Sequence, residues 1–529
     1  MTEAMKTAKL YRVGLLAIGS VCLWIAVIAL SRFPFDDSYI HMRIARNLAF
    51  QGVPFFNPAE RVMGGSSPLW LLIVAGLFRV IGHPAPAAVI ALECGIATAL
   101  IITFDAWLRE VLERASAWVT VVAIGIVAGL VLPAIGFLME TGLAVLLGVS
   151  GALALAKNRP VVAGLLLGLA LMTRYEMAIF AGIVFLLTPT FRAKQRFLFG
   201  FLPLALAEVL LLWLWYGTIV PNTVRAKSIA YPISFRQFLD TVPGWPSAHG
   251  VTAFIWIVGS LVCAALVWSK LWEASNKSLA AKRSVAMLGA FAGALFVAYA
   301  VRRTSMFQWY WANIAAPAAL AAAATAFRLW EARGAGLLTP KLIATGSSAV
   351  AVIGLASFPT AARSGNTVLS ACRDRPASSA TLEASLRIQT YFAVGQSLYA
   401  RCPRGTLLTS EIGAVGWSFP GRLVDGLGLV SPEVLKHHPM KVPEQRASET
   451  VGAIPAEAVA ELQPDFVMGM DLFLEDFVKQ RLKDPRLARY EVVDDRPVIF
   501  EGGTARTLWN SKSVLTFARA DSCKPGAAR

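Results

Sequence analysis

The chain of 529 residues is 56% hydrophobic and 16% charged, with a mean hydropathy of +0.59; that composition excludes an ordinary soluble protein and indicates a polytopic membrane protein. Its 49 Lys and Arg against 33 Asp and Glu leave a net charge of +16. Much of the excess falls in short clusters between apolar runs, "KNR" at 157–159, "RAKQR" at 192–196 and "AKR" at 281–283, which is the distribution of positive-inside loops and speaks against a nucleic-acid partner.

In chain order, Lys6, Lys9 and Arg12 precede an apolar stretch from Val13 to Leu30. At roughly 18 residues it exceeds the core of a cleavable signal peptide and reads as an uncleaved first helix. Further apolar segments recur near 86–108, 117–137, 141–156, 160–173, 177–191, 197–217, 250–269, 284–301, 307–327 and 342–360, which with the first predicts about eleven spans. "PLWLLIVAGLFRVIG" at 68–82 is short for a span and carries Arg79, which suits an interfacial or re-entrant helix. If that segment does not cross, Arg109, Arg114, Lys157, Arg159, "RAKQR" and the stretches 270–283 and 328–341 all fall on the cytoplasmic side with the N-terminus. The outer face then collects Asp36, Asp37, Glu140, Arg174, Glu176, the loop 218–249, Arg302, Arg303 and the tail after 361.

Asp36 and Asp37 open "DDSYIHMRIARNL", in which Ile40, Ile44 and Leu48 recur every four residues while Arg43, Arg46 and Asn47 take a more polar side. This predicts an amphipathic helix lying on the membrane. Capping explains a carboxylate at its start, but one cap suffices and the second needs another account. Glu140 in "FLMETGL" interrupts an apolar stretch, as a solvated turn or as a functional group. In "LMTRYE", Arg174 and Glu176 either pair with each other or leave Arg174 to hold an anion. Asn222, Arg225 and Lys227 of "WYGTIVPNTVRAKS" fall on the same face, as do Arg302 and Arg303 ahead of "FQWYW", which contains Trp309. Snorkelling accounts for any single cation; several on one face suit a phosphate.

Carboxylates and cations together fit a reaction in which a lipid phosphate leaves a sugar as a hydroxyl attacks. The hydroxyl needs a general base, here Asp36 or Asp37, with Glu140 orienting hydroxyls. The departing phosphate needs positive charge, here Arg174, Arg225, Lys227, Arg302 or Arg303, and Tyr39, Arg43, Arg46, Asn47, Glu176, Asn222 and Trp309 complete the candidate substrate contacts. No His or Cys cluster suggests zinc, and the carboxylates leave room for Mg²⁺ or Ca²⁺.

After Arg363 no run is long enough to span. "TLLTSEIGAVGW", "GRLVDGLGLV", "PDFVMGM", "RPVIFEG" and "SKSVLTFAR" read as short strands, with "ASETVGAIPAEAVAELQ" helical between them. The expected organisation is a transmembrane module over 1–362, with a first outer loop at 32–85, and a small extracytoplasmic α/β domain over 363–529. Of six cysteines, Cys22, Cys94 and Cys263 lie in apolar segments and Cys372, Cys402 and Cys523 in the tail. Cys372 with Cys402 is one candidate disulfide, which sequence alone does not derive.

The segments "DDSYIHMRIARNL" and "FFNPAERVMGGSSPLW" at 55–70 resemble the first outer loop of the GT-C superfamily of membrane glycosyltransferases, with the AftB-like arabinofuranosyltransferase branch the nearest likeness. The ordered match runs through 36–70, and "METGL", "LMTRYE", "WYGTIVPNTVRAK", "SEIGAVGW" and "RLVDGLGLVSPEV" continue it. Tyr175, Met139 and the "GGSS" stretch depart from the branch's usual residues. The resemblance implies a polytopic GT-C fold and an enzyme of EC 2.4 type that moves a sugar, arabinofuranose in the named branch, from a polyprenyl-phosphate donor to an envelope glycan. It also implies a first-loop Asp as base and a multi-pass protein of the cytoplasmic (inner) membrane whose active site faces the periplasm or exterior. Alternatives are a mannosyl- or aminoarabinosyl-type transferase acting on protein or lipid and, from another class, a lipid-sugar transporter or flippase. A transporter is expected to show repeats or interrupted helices with charges near the midplane; here the charges gather at one face.

Overall fold

Contacts divide the chain into two units, one of residues 1–32, 89–210 and 233–374, the other of residues 33–88, 211–232 and 375–529. The structure, a computed structural model, describes residues 3–32, 35–112, 116–230, 233–240, 278–304, 307–334, 379–440, 452–497 and 511–523.

The first unit is helical. Among the described residues, six helices are long and apolar enough to cross a membrane: Lys6–Leu30, Pro86–Val111, Ala117–Gly136, Phe191–Tyr216, Leu279–Arg302 and Trp309–Glu331. The first belongs to helix α1, Glu3–Leu30. Thr141–Ala156, Pro160–Thr173 and Met177–Leu187, expected as spans, are helices of 16, 14 and 11 residues. At about 1.5 Å per residue they are shorter than the roughly 30 Å hydrocarbon layer. The expected spans at 250–269 and 342–360 lie outside the described residues.

In lipid, helices associate through close packing rather than hydrophobicity, which favours small residues at the contacts. Here a β-carbon on Gly164 would stand 2.1 Å from the carbonyl oxygen of Phe197, and one on Gly200 2.1 Å from that of Val161. Helices Pro160–Thr173 and Phe191–Tyr216 therefore touch backbone to backbone. A polar tie joins three other helices. Asp105, fully buried, accepts from Arg109 Nε (2.9 Å) and Thr120 Oγ1 (2.6 Å) on Oδ1, and from Arg12 Nε (2.7 Å) on Oδ2.

The second unit centres on a five-stranded sheet of order β2-β1-β3-β5-β4, with β1 Thr406–Thr409, β2 Arg422–Asp425, β3 Phe466–Met470, β4 Tyr490–Pro497 and β5 Ser513–Arg519. β1 pairs parallel with β2 and β3, whereas β5 pairs antiparallel with β3 and β4. The expected α/β tail is present with local corrections. "GAVGW" is not strand but lies in the helix Gly413–Ser418. The fourth strand lies earlier than "RPVIFEG", whose residues from 498 on fall outside the described range. Cys402 pairs with Cys523, not with Cys372, which lies outside the described residues.

The first outer loop belongs to this unit. Helix α2, Asp36–Gln51, buries Ile40 and Ile44 in the hydrophobic core with Leu407, Leu423 and Phe466 of the sheet. Its polar side, Arg43 and Asn47, is buried as well. The expected membrane-surface helix is thus a core helix enclosed on both faces, because its polar side chains satisfy backbone carbonyls. α3, Pro68–Ile81, buries Leu71, Val74, Ala75 and Phe78 at helical spacing and leaves Arg79 exposed; at 14 residues it is shorter than a span. Edge strand β2 is covered by the loop: Asn57 donates from Nδ2 to Leu423 O (2.7 Å) and accepts Leu423 N–H on Oδ1 (3.1 Å), taking the place of a neighbouring strand.

Candidate active-site residues

In the second unit the carboxylates of the first loop meet the tail. Phe35 is the extended N-cap of α2, so Asp36 and Asp37 occupy its first turn, where the helix dipole favours negative charge. The Asp36 carboxylate accepts the backbone N–H of Gly413 (2.9 Å) on Oδ2 and of Ala414 (2.8 Å) on Oδ1, so it caps Gly413–Ser418, a helix far along the chain. Gly413 permits this approach, since a β-carbon there would lie 1.8 Å from the carbonyl oxygen of Asp36. Burial pushes the Asp36 carboxyl upward, opposed by these two bonds and by Arg387.

Asp37 is half-buried. Its charge, like that of Asp36, acts on Arg387 and Glu411, which form an ion pair with each other. Burial pushes Glu411 up to about 7 against the pull of Arg387, and the Tyr391 hydroxyl lies beside it. Sequence reasoning missed these three. The available signal was a stripe at Ile388, Tyr391, Val394 and Leu398 with Arg387 at its border, and an ionisable Glu411 just before the apolar Ile412.

Arg43, expected to bind substrate, is 1% exposed and engages all five donors within the protein. Nε bonds Phe56 O (2.9 Å), Nη1 bonds Gly416 O (2.5 Å) and Phe419 O (2.8 Å), and Nη2 bonds Gly421 O (2.9 Å) and Asn57 Oδ1 (3.4 Å). Burial lowers its pKa to about 9. Asn47 Nδ2 bonds the carbonyls of Phe55 and Phe56. Arg46 bonds Trp417 O and stacks on that indole, beside which Tyr39 also packs.

Asp425, of "RLVDGLGLV", draws in the N–H groups of Leu427, Leu429 and Val430, and burial pushes it up to about 7. The loop so formed offers the carbonyls of Gly428 and Leu429 to Asn222 Nδ2 at 2.7 and 2.8 Å. Asn222 opens the helix Asn222–Ala230, which carries an exposed Arg225 and a half-buried Lys227.

The first unit has its own cluster. Glu140 precedes helix Thr141–Ala156, and Arg174 and Glu176 lie between Pro160–Thr173 and Met177–Leu187. Arg174 Nη1 bonds Glu140 Oε1 at 2.7 Å and Nε bonds Glu176 Oε1 at 2.5 Å, while Tyr299 donates to Glu176 Oε1 at 2.7 Å. The guanidinium stacks 4.8 Å over Tyr310. Arg174 and Glu176 do pair, and Glu140 joins them, so the guanidinium is neutralised by two carboxylates rather than open to a phosphate. Trp309 is buried and stacked on Phe307, whereas Arg302 and Arg303 are exposed at the end of helix Leu279–Arg302. Among the described residues no group of three or more His, Cys, Asp or Glu side chains is placed to hold a metal ion.

Residues 380–515 match the family described as "Domain of unknown function (DUF8728)". No curated protein sequence is significantly similar to the chain. The structure of ArnT from Cupriavidus metallidurans bound to undecaprenyl phosphate is similar at a TM-score of 0.51 and 12% identity, over 95% of this chain and 97% of that one. Arabinofuranosyltransferase AftD from Mycobacteria is similar at a TM-score of 0.46 and 13% identity, over 95% of this chain but 41% of its own length. The likeness to ArnT, running through nearly the whole of both chains, shows that the two share a fold, here a polytopic helical membrane protein with a C-terminal α/β domain.

Proposed function

We propose that this protein is a glycosyltransferase that moves a sugar from a polyprenyl-phosphate donor to an envelope glycan at the outer face of the cytoplasmic membrane, with arabinofuranose the sugar its first-loop motif points to. One observation carries the reading. Two adjacent aspartates are given opposite environments, Asp36 buried with both oxygens on backbone N–H groups and Asp37 half-buried in the field of Arg387 and Glu411. Asp36 is therefore the structural member and Asp37 the base.

As the acceptor oxygen bonds to the anomeric carbon, its proton passes to Asp37. The carbon–oxygen bond to the phosphate breaks, and polyprenyl phosphate leaves with the electron pair. Within the first unit, Glu140 and Glu176, held by Arg174, are suited to orient hydroxyl groups, and exposed cations suited to a phosphate occur in each unit, Arg302 and Arg303 in the first and Arg225 in the second. The ArnT structure, which holds undecaprenyl phosphate in a chain of similar fold, supports the donor class. The Cys402–Cys523 disulfide supports an oxidising compartment for the tail.

The test is transfer from labelled polyprenyl-phosphoryl sugars by the purified protein in lipid nanodiscs. Asp37→Asn should fold and lose about 10²- to 10⁴-fold in rate, the range for loss of a general base. An Asp37→Asn protein that transfers at the wild-type rate removes the base from this mechanism.

A further inference from the structure

Glu93 lies in helix α4, Pro86–Val111. Its side chain is fully buried, and among the described residues neither carboxyl oxygen has a hydrogen-bond partner. Leaving such a group bare inside a protein costs several kcal/mol, about what a cavity in a core costs. Proteins retain that arrangement where something else supplies the partner. Oε2 points toward the start of the neighbouring helix Thr141–Ala156, where a β-carbon built on Gly142 would stand 3.4 Å from it. Glu140, two residues earlier, is close enough for its charge to act on Glu93. The same α4 shows that a buried carboxyl can be saturated when its task is structural, since Asp105 takes donors from three helices.

We propose that Glu93 is a further substrate-binding residue, a buried carboxyl beside Glu140 that takes the hydroxyl groups of the transferred sugar. The chemistry selects the ligand. Carboxyl oxygens in a site already holding Glu140 and Glu176 repel a phosphate and accept from neutral O–H donors, and a sugar ring offers several in fixed geometry. A phosphate or a hydrocarbon chain supplies no such donors. The inference rests on the transferase reading above and names which end of the donor this cluster receives.

Glu93→Leu and Glu93→Met, in nanodiscs, test it. If the bare carboxyl is kept for substrate, Glu93→Leu should unfold at the wild-type temperature or above, because it removes an unpaired buried polar group. Its transfer rate should fall roughly 10- to 100-fold, the equivalent of one or two lost hydrogen bonds to substrate. Binding of the polyprenyl-phosphoryl sugar should weaken while binding of sugar-free polyprenyl phosphate stays unchanged. Glu93→Met keeps the side-chain length, offers no oxygen acceptor, and carries the same test where the leucine variant does not fold.

Wild-type transfer in either variant overturns the role of Glu93 and leaves the transferase reading intact, as does equal weakening toward both lipids. A wild-type protein that transfers no polyprenyl-phosphoryl sugar overturns the transferase reading, and this inference with it.

Discussion

Asp105 and Glu93 share one helix and are both fully buried, yet among the described residues one is surrounded by donors and the other has none. Asp105 gathers Arg12, Arg109 and Thr120 and so fastens α1 and the helix Ala117–Gly136 to α4. Among the described residues, Glu93 accepts from none. In the second unit Asp36 accepts one backbone N–H on each oxygen from the N-terminus of another helix, and Asp37 beside it is half-buried. Burial alone therefore does not mark a functional carboxyl. The balance of donors around it does, since a saturated carboxylate has no capacity left for a ligand.

The strongest way to break that contrast is Asp105→Ala. Two arginines and a threonine would lose a shared buried acceptor, and removing one partner from a buried ion cluster costs about 3–5 kcal/mol. Thermal unfolding in detergent should drop steeply; an unchanged midpoint would make Asp105 no more structural than Glu93. Arg43→Lys comes next. A single ammonium cannot reach four backbone carbonyls spread around a planar fork, so the second unit should lose roughly 3 kcal/mol through buried acceptors left unpaired. Affinity of the remaining folded protein for donor should not change. Weaker donor binding without loss of stability would return Arg43 to the substrate.

A smaller effect is expected from pH. Native Glu411 keeps its proton up to about pH 7, against 4.5 for a free carboxyl, and Asp425 likewise up to about 7, against 3.8. Between about pH 4 and 7 the native state thus binds more protons than the unfolded chain, and stability falls as pH rises through that window. The second unit should melt at a higher temperature at pH 5 than at pH 8. Glu411→Gln should flatten part of that slope; an unaltered slope would show that Glu411 does not change its protonation on folding.

Several polar residues stand out in the sequence from local patterns. Glu140, Arg174 and Glu176 stood out because an ionisable residue between apolar helices is rare, and they form one cluster. Arg43 and Asn47 stood out for the same reason but serve the backbone of the loops around 55–57 and 416–421. Glu411, Arg387 and Tyr391 were missed, since each sits singly in an ordinary amphipathic or strand-like stretch.

The motif that makes the first loop resemble a glycosyltransferase loop is in large part architecture. Asn57 covers an edge strand, Arg61 meets the carbonyls that end helix Phe191–Tyr216, and Asp36 caps a helix of the tail.

Sequence by itself determined what depends on neighbours along the chain. Apolar length against bilayer thickness set the long spans, alternation and glycine set the strands of the tail, and isolated charges marked the helix ends. Only the tertiary structure decided which charges are answered. The donors to Asp36 come from residues 377 and 378 positions away, and three of the carbonyls that enclose Arg43 lie 373, 376 and 378 positions away. A carboxyl or guanidinium reads the same in a sequence whether its hydrogen bonds are full or empty, because those bonds are made in space by segments that composition and periodicity treat separately.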